Sequence, residues 1–343
     1  MNRVWAKLSL RSEGRNMLLQ GLLLILSIAP VIFIAAPMAI GEYESFSARY
    51  LDRDPFEPPA VELPGGLAAR AAASPASPGR VPVLLYHGIG DSEDAEAPGE
   101  SRFSVSRAEF ARQMELLDEA GFEALTIEEY GDFLAGDREG LPDKPVLITF
   151  DDGQLSSFRG ADSVLATHDM HAVMYAIASA TTDASEYYLS GDELAEMAES
   201  GRWDVQMHAG VGHHAISTGP GSQQGSFYAY REWTDDGRES FADYKQRVGD
   251  DLTSGAEELA WKAGNFEPVT FSFPFGDYGQ GPGGEPRVSR WLVSWLADRY
   301  QGLFHQPSDP GFSEPAQAPL LPRFEVTAGT STGELASWIG GEG

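Results

Sequence analysis

From Arg80 onward, short apolar runs alternate with stretches of helical length. Val81–Tyr86, Phe122–Ile127, Val146–Phe150, Ala172–Ile177 and Val205–His208 are rich in β-branched and apolar residues and predict strands. Between them lie amphipathic stretches. Ser106–Ala120 places Phe110, Met114 and Leu117 on one face, with Ser106 as N-cap. Ser190–Ser200 opens with a capping box made by Ser190 and Glu193, and Phe241–Ala263 predicts a longer helix. Strand and helix in alternation predict an α/β fold, with parallel strands ringed by helices. In such a fold, functional residues are expected at the C-terminal ends of the strands.

Two segments at such strand ends carry chemistry. In Thr149-Phe150-Asp151-Asp152-Gly153, an apolar run that follows Pro145 ends in adjacent carboxylates. Side chains alternate faces along a strand, so both aspartates can serve one site only if the strand has ended in a turn. An Asx-rich turn capping the next helix would account for Asp-Asp-Gly without any metal. In His208-Ala-Gly-Val-Gly-His213, a glycine loop follows the probable strand and lets two imidazoles converge. His214 is the competing ligand; spacing, together with the resemblance described next, favours His213. One carboxylate and two histidines form a three-ligand metal set with an open position, and the second carboxylate is left over as a base.

These residues bring a family into view. The chain resembles the polysaccharide deacetylases of the NodB-homology fold, carbohydrate esterase family 4. Five segments match in order: Val83-Leu84-Leu85-Tyr86-His87-Gly88, Thr149 to Gly153, His208 to His214, Phe271 to Tyr278, and Leu321-Pro322-Arg323-Phe324-Glu325-Val326. Four residues between the histidines resemble the poly-β-1,6-N-acetylglucosamine deacetylase branch. The resemblance implies a distorted (β/α) barrel of seven strands and removal of N-acetyl groups from amino sugars. By position, Asp151 would be the base and Asp152, His208 and His213 the metal ligands. Pro274, Phe275 and Tyr278 would lie on the substrate side, with the Phe275 N–H facing an oxyanion. Zinc is the default ion, with nickel, cobalt and iron as alternatives. Two departures stand out. Many members carry an Arg shortly before the proline, where this chain has Phe271-Ser272-Phe273, and no His follows Leu321, which leaves His305 as the late candidate acid. A catalytically silent carbohydrate-binding or assembly protein of the same fold is therefore the rival reading.

The N-terminal part predicts a membrane anchor. Residues 16–41 carry no charge, Arg3, Lys7, Arg11 and Arg15 precede them, and Glu42 and Glu44 follow. A span over 17–40 is long enough to cross a bilayer, with 1–16 cytoplasmic and the rest outside. A cleaved signal ending near Ala35-Ala36-Pro37-Met38-Ala39 is the alternative. Residues 41–79, rich in Pro and Ala, predict a linker, and 80–343 the deacetylase-like domain. The expected partners are the membrane, an N-acetylated polysaccharide and its export machinery. The formal charge of −28 argues against nucleic acid, and the absence of Cys excludes disulfides and thiol catalysis. Aromatic residues between 227 and 233 are candidates either for stacking on sugars or for loop packing.

Overall fold

The structure, a computed structural model, describes residue 58 and residues 60–90, 102–183, 185, 187–264 and 267–341. The apolar span at 17–40 and its basic flank lie outside the described residues. Among the described residues no helix is long and apolar enough to cross a membrane.

The elements run α1 (Leu67–Ala72), β1 (Val83–Tyr86), α2 (Arg107–Glu119), β2 (Glu123–Ala124), α3 (Ile127–Ala135), β3 (Pro145–Phe150), α4 (Leu155–Thr167) and β4 (Ala172–Ile177). They continue with α5 (Gly191–Glu199), β5 (Trp203–Ala209), β6 (Ala215–Ser217), β7 (Gln224–Ser226), β8 (Trp233–Thr234), β9 (Gly237–Arg238) and α6 (Phe241–Ala263). The last are β10 (Thr270–Ser272), α7 (Pro286–Ala297), β11 (Gly302–His305), β12 (Leu320–Pro322), β13 (Phe324–Glu325) and α8 (Thr332–Ile339).

The main sheet is parallel throughout, in the order β12-β11-β10-β5-β4-β3-β1-β13, with β2 added beside β3. Its two end strands are consecutive in the chain, separated only by Arg323. One interrupted strand therefore touches both ends of the sheet and nearly closes it into a barrel. If β12 and β13 are counted as one strand, the ring has seven. Helix crossovers between parallel strands place the helices outside. The β6–β7 and β8–β9 hairpins form a separate antiparallel excursion after the second histidine segment.

Period-2 alternation sorts the strand residues into two apolar clusters. Leu84, Ile148, Phe150, Met174, Met207 and Phe271 belong to the cluster shared with the helices. Val83, Leu147, Val173, Tyr175, Phe304 and Leu321 form the barrel interior, with Tyr130 and Phe133 of α3 packed into it. The expected helix caps are present. Ser106 accepts a hydrogen bond from the Glu109 N–H, and Ser190 and Glu193 form a reciprocal capping box.

Two expectations need correction. The strand expected over Phe122–Ile127 shrinks to Glu123–Ala124, because Thr126 caps α3 with Glu129 and starts a helix there. The expected linker over 41–79 is not linker at its C-terminal end. Leu67–Ala72 is helical, Ala71 is fully buried, and Val61, Leu63 and Leu67 pack against the core. The physical reason is that Ala and Leu are strong helix formers, while Pro64 and Pro75 bracket the helix without interrupting it. Proline content alone misread this stretch as extended.

Helix α4 sits tightly against the loop after β1. Ser157 Oγ donates to the His87 carbonyl at 2.5 Å, and a Cβ on Gly160 would stand 2.2 Å from the Ile89 carbonyl oxygen. Gly160→Ala must push the helix off this loop, at an expected cost of about 1–3 kcal/mol. Urea unfolding with an unchanged m-value is the measurement, and wild-type stability would contradict the contact.

Candidate active site

The site is the top inner layer of the barrel. On β3 the inward file runs Leu147, Thr149, Asp151, so the first aspartate inherits the barrel side by parity. Asp152 would then face the helices, but the backbone turns at that point. Asp152 and Gly153 both have φ 75°, a left-handed conformation that Asp tolerates and Gly takes freely. The strand ends as the paired carboxylates require, and both serve one cavity.

That cavity, of about 660 Å³, is lined by Asp151, Asp152, His208 and His213 among others. Ligand atoms of Asp152, His208 and His213 lie within 4.8 Å of one another. Asp152 Oδ1 is 3.3 Å from the Nε2 atom of each histidine. Gln154 Nε2 donates to the other carboxylate oxygen at 3.3 Å and helps aim Oδ1 at the imidazoles. His208 Nδ1 is 2.9 Å from the Ser272 carbonyl, which can only accept. The hydrogen therefore sits on Nδ1, which leaves Nε2 as the ring atom that could coordinate an ion beside Asp152. The donor set fits a divalent ion such as zinc. His213, not His214, completes it. His214 turns instead to the Val211 carbonyl and the Phe227 ring.

Charges in this layer compensate one another. Burial alone would raise the Asp152 carboxyl, but the imidazoles of His208, His87 and His213 outweigh it and hold the group well below the usual range. Burial opposes charge on His208, yet Asp151 and Asp152 raise its pKa. Burial and the neighbouring His208 push His213 down to about 4, so its ring is neutral near neutral pH.

Asp151 has a partner far away in the chain. Arg323, at the barrel seam, donates to both carboxylate oxygens at 2.8 and 2.6 Å, with both side chains almost fully buried. Ser272 donates to Asp151 at 2.9 Å and accepts from Arg323 at 2.7 Å. Burial raises the Asp151 carboxyl, but Arg323, followed by His208, overrides it and keeps the group below the ordinary carboxylate range. The guanidinium lies over the rings of Phe304 and Tyr175, at 5.3 and 5.6 Å. The position before Pro274 that lacks the expected Arg is thus filled by Ser272 together with an Arg from another strand. Nothing in the local sequence pairs Arg323 with Asp151. The available signal was a charged residue continuing the inward file from Leu321.

The cavity rim has two ring pairs. His213 packs against Phe275 with ring centroids 4.7 Å apart, and His87 against Phe103 at 5.0 Å, both pairs tilted. Phe275 has φ 60°, is 55% exposed, and lines the cavity, whereas Pro274 beneath it is buried. His87 is buried, with an Nδ1 that has no hydrogen-bond partner among the described residues. It occupies the inward parity of β1 after Val83 and Leu85, and no role was read for it in the sequence. His305 and Tyr278 pack against each other at 5.6 Å and do not line the cavity; the next residue, Gln306, does. Phe227 and Tyr228 are buried and do not line the cavity.

Residues 138–281 match the family model for polysaccharide deacetylase. Over that segment the chain is similar to the polysaccharide deacetylases. The matched segment contains Asp151, Asp152, His208, His213 and Phe275, and stops short of His87 and Arg323. YxkH of Bacillus subtilis (strain 168), named for the same family, is 30% identical over 124 residues, 36% of this chain and 40% of YxkH. The poly-beta-1,6-N-acetyl-D-glucosamine N-deacetylase of Escherichia coli (strain K12) is 27% identical over 210 residues, 57% of this chain and 30% of that protein. The chain thus spans less than half the length of these curated relatives. A de-N-acetylase from Aggregatibacter actinomycetemcomitans superposes with a TM-score of 0.65 at 18% identity, over 76% of this chain and 99% of that one. At that identity, what the two share is the fold of the deacetylase domain.

The Asp151–Arg323 pair can be tested by stability. Arg323→Met leaves a buried carboxylate uncompensated, at an expected cost of about 3–5 kcal/mol. Adding Asp151→Asn to the same chain removes the orphaned charge and recovers part of that loss. Denaturant titrations of the two single variants and the double variant measure the coupling, and strictly additive losses would rule it out.

Proposed function

We propose that the domain removes N-acetyl groups from amino sugars of an exported or cell-surface polysaccharide, with a divalent metal held by Asp152, His208 and His213. The observation that carries this reading is the convergence of those three ligands beside a buried, Arg-held carboxylate in one open cavity. The name of the Escherichia coli relative supports an N-acetylglucosamine polymer as the substrate class.

A bound divalent ion would polarise the acetyl carbonyl and acidify a water beside it. Asp151 stays ionised because of Arg323 and accepts a proton from the attacking water. Arg323 and Ser272 fix the carboxylate plane, so the base does not rotate away. The Phe275 N–H is assigned to the developing oxyanion. His87, an imidazole of the cavity outside the ligand set, is assigned the return of a proton to the leaving amine. The rings of Phe103 and Phe275 line the cavity and offer apolar surface to a sugar. The silent-binder reading rested on a missing Arg and a missing late His. Arg323 and His87 offer a physical replacement for each.

The uncharged span at 17–40 supports a membrane anchor with the domain outside, where an exported polysaccharide could reach it. Membranes carrying the full chain should retain the protein through a high-salt wash. Release of a chain starting near residue 40 would show cleavage instead.

Asp151→Asn should keep its metal and lose about 10²- to 10⁴-fold in turnover, measured as acetate released from N-acetylglucosamine oligomers. Metal content is determined on the same sample. Chelation should abolish activity and added Zn²⁺, Co²⁺ or Ni²⁺ restore it. Full turnover by Asp151→Asn would remove this residue from the mechanism.

A further inference from the structure

The four residues between His208 and His213 are gripped by a helix that carries no ligand. On α6, Tyr244, Arg247, Asp251 and Gly255 follow one another at helical spacing and share one face. Asp251 Oδ1 accepts from the Val211 N–H at 2.8 Å. Its Oδ2 accepts from the Tyr228 hydroxyl at 2.5 Å, and that hydroxyl in turn accepts from the Gly210 N–H at 3.1 Å. Burial and the adjacent Asp251 raise the Tyr228 pKa well above its ordinary value, so the O–H remains a donor. Tyr244 donates to the Tyr228 carbonyl at 2.6 Å, and Arg247 to the Phe227 carbonyl at 2.9 Å, which fixes Tyr228 from below.

The contact is made at backbone distance. A Cβ on Gly255 would stand 2.5 Å from Gly210 Cα, and one on Gly210 would stand 2.5 Å from the Asp251 carbonyl oxygen. A Cβ on Gly212 would lie 2.6 Å from the Phe227 and Tyr228 rings. Val211 itself is 58% exposed, so the loop is anchored by its N–H groups rather than by its side chain. The His213 N–H then donates to the Val211 carbonyl at 3.0 Å, which ties the second histidine directly to the clamped residue.

We propose that Asp251 and Tyr228 are positioning residues of the metal centre. They clamp Gly210 and Val211 so that His213 is presented to Asp152 and His208. The proposal rests on the metal reading given above. Groups that orient ligands from outside the coordination shell commonly contribute about 10- to 100-fold in metal affinity.

The test measures Zn²⁺ affinity by competition with a chromophoric chelator, on the full chain and its variants. Asp251→Ala should weaken binding by about 10- to 100-fold, and Tyr228→Phe should weaken it in the same direction. Asp251→Asn keeps an acceptor for the Val211 N–H and should restore part of the loss. Ser240→Ala is the control: it removes the N-cap of the same helix, where Ser240 Oγ accepts from the Asp243 N–H at 3.1 Å, without touching the loop. It should lower the melting temperature and leave Zn²⁺ affinity unchanged. Hydrogen exchange of the Gly210 and Val211 amides in metal-free protein should speed up in Asp251→Ala and not in Ser240→Ala. A folded Asp251→Ala with wild-type affinity overturns the clamp and leaves the metal reading standing. A Ser240→Ala that loses as much affinity as Asp251→Ala overturns it too. Wild-type protein that binds no divalent ion overturns the metal reading, and the clamp's role falls with it.

Discussion

Arg323 joins what closes the barrel to what orients its chemistry. It is the single residue between the two end strands of the sheet, and its guanidinium is spent on Asp151, Thr149 and Ser272 in the interior. Burying such a pair is costly, and attraction offsets the cost only where the remaining donors and acceptors are also satisfied. Here four hydrogen bonds and two aromatic faces share that work, while Nε has no hydrogen-bond partner among the described residues. A well-packed apolar pair would serve stability at least as well. The arrangement makes sense as a means of holding an ionised carboxylate at a fixed angle inside a cavity.

The local half of this design was legible in the sequence. Alternation along the strand ending at Phe150 meant that two adjacent carboxylates could share one site only if the backbone turned there, and it does at Asp152 and Gly153. The glycines between His208 and His213 announced a loop able to bring two imidazoles together. Capping residues at Ser106 and Ser190 marked helix starts because cap chemistry is complete within four residues.

The other half was not legible because it depends on which strands become neighbours. Asp151 and Arg323 are 172 residues apart, and their meeting is a consequence of barrel closure, which no periodicity within one segment encodes. The same holds for Asp251 and Val211, 40 residues apart, and for Ser272 beside the base. His87 stood in a quoted motif, but its place in the cavity depends on β1 lying between β3 and β13. The misreading of residues 60–79 has a different origin. Proline content signals an extended chain only when the residues between the prolines have nothing to bury, and Val61, Leu63, Leu67 and Ala71 do.

This division explains how a barrel can persist at 18% identity over 76% of the chain. Most inward and outward positions need only an apolar side chain of about the right volume, and cores accept many such substitutions. The top layer is different, because Asp151, Asp152 and His208 each meet specific polar atoms there. Asp152 Oδ1 sits 3.3 Å from two Nε2 atoms, His208 has a carbonyl behind Nδ1, and Asp151 is held by a guanidinium from the barrel seam. The last of these contacts is geometric rather than positional. In this chain Ser272 and Arg323 between them bring donors to both carboxylate oxygens of Asp151. A missing motif residue therefore does not mean a missing charge where the barrel's closure brings a guanidinium to the same carboxylate.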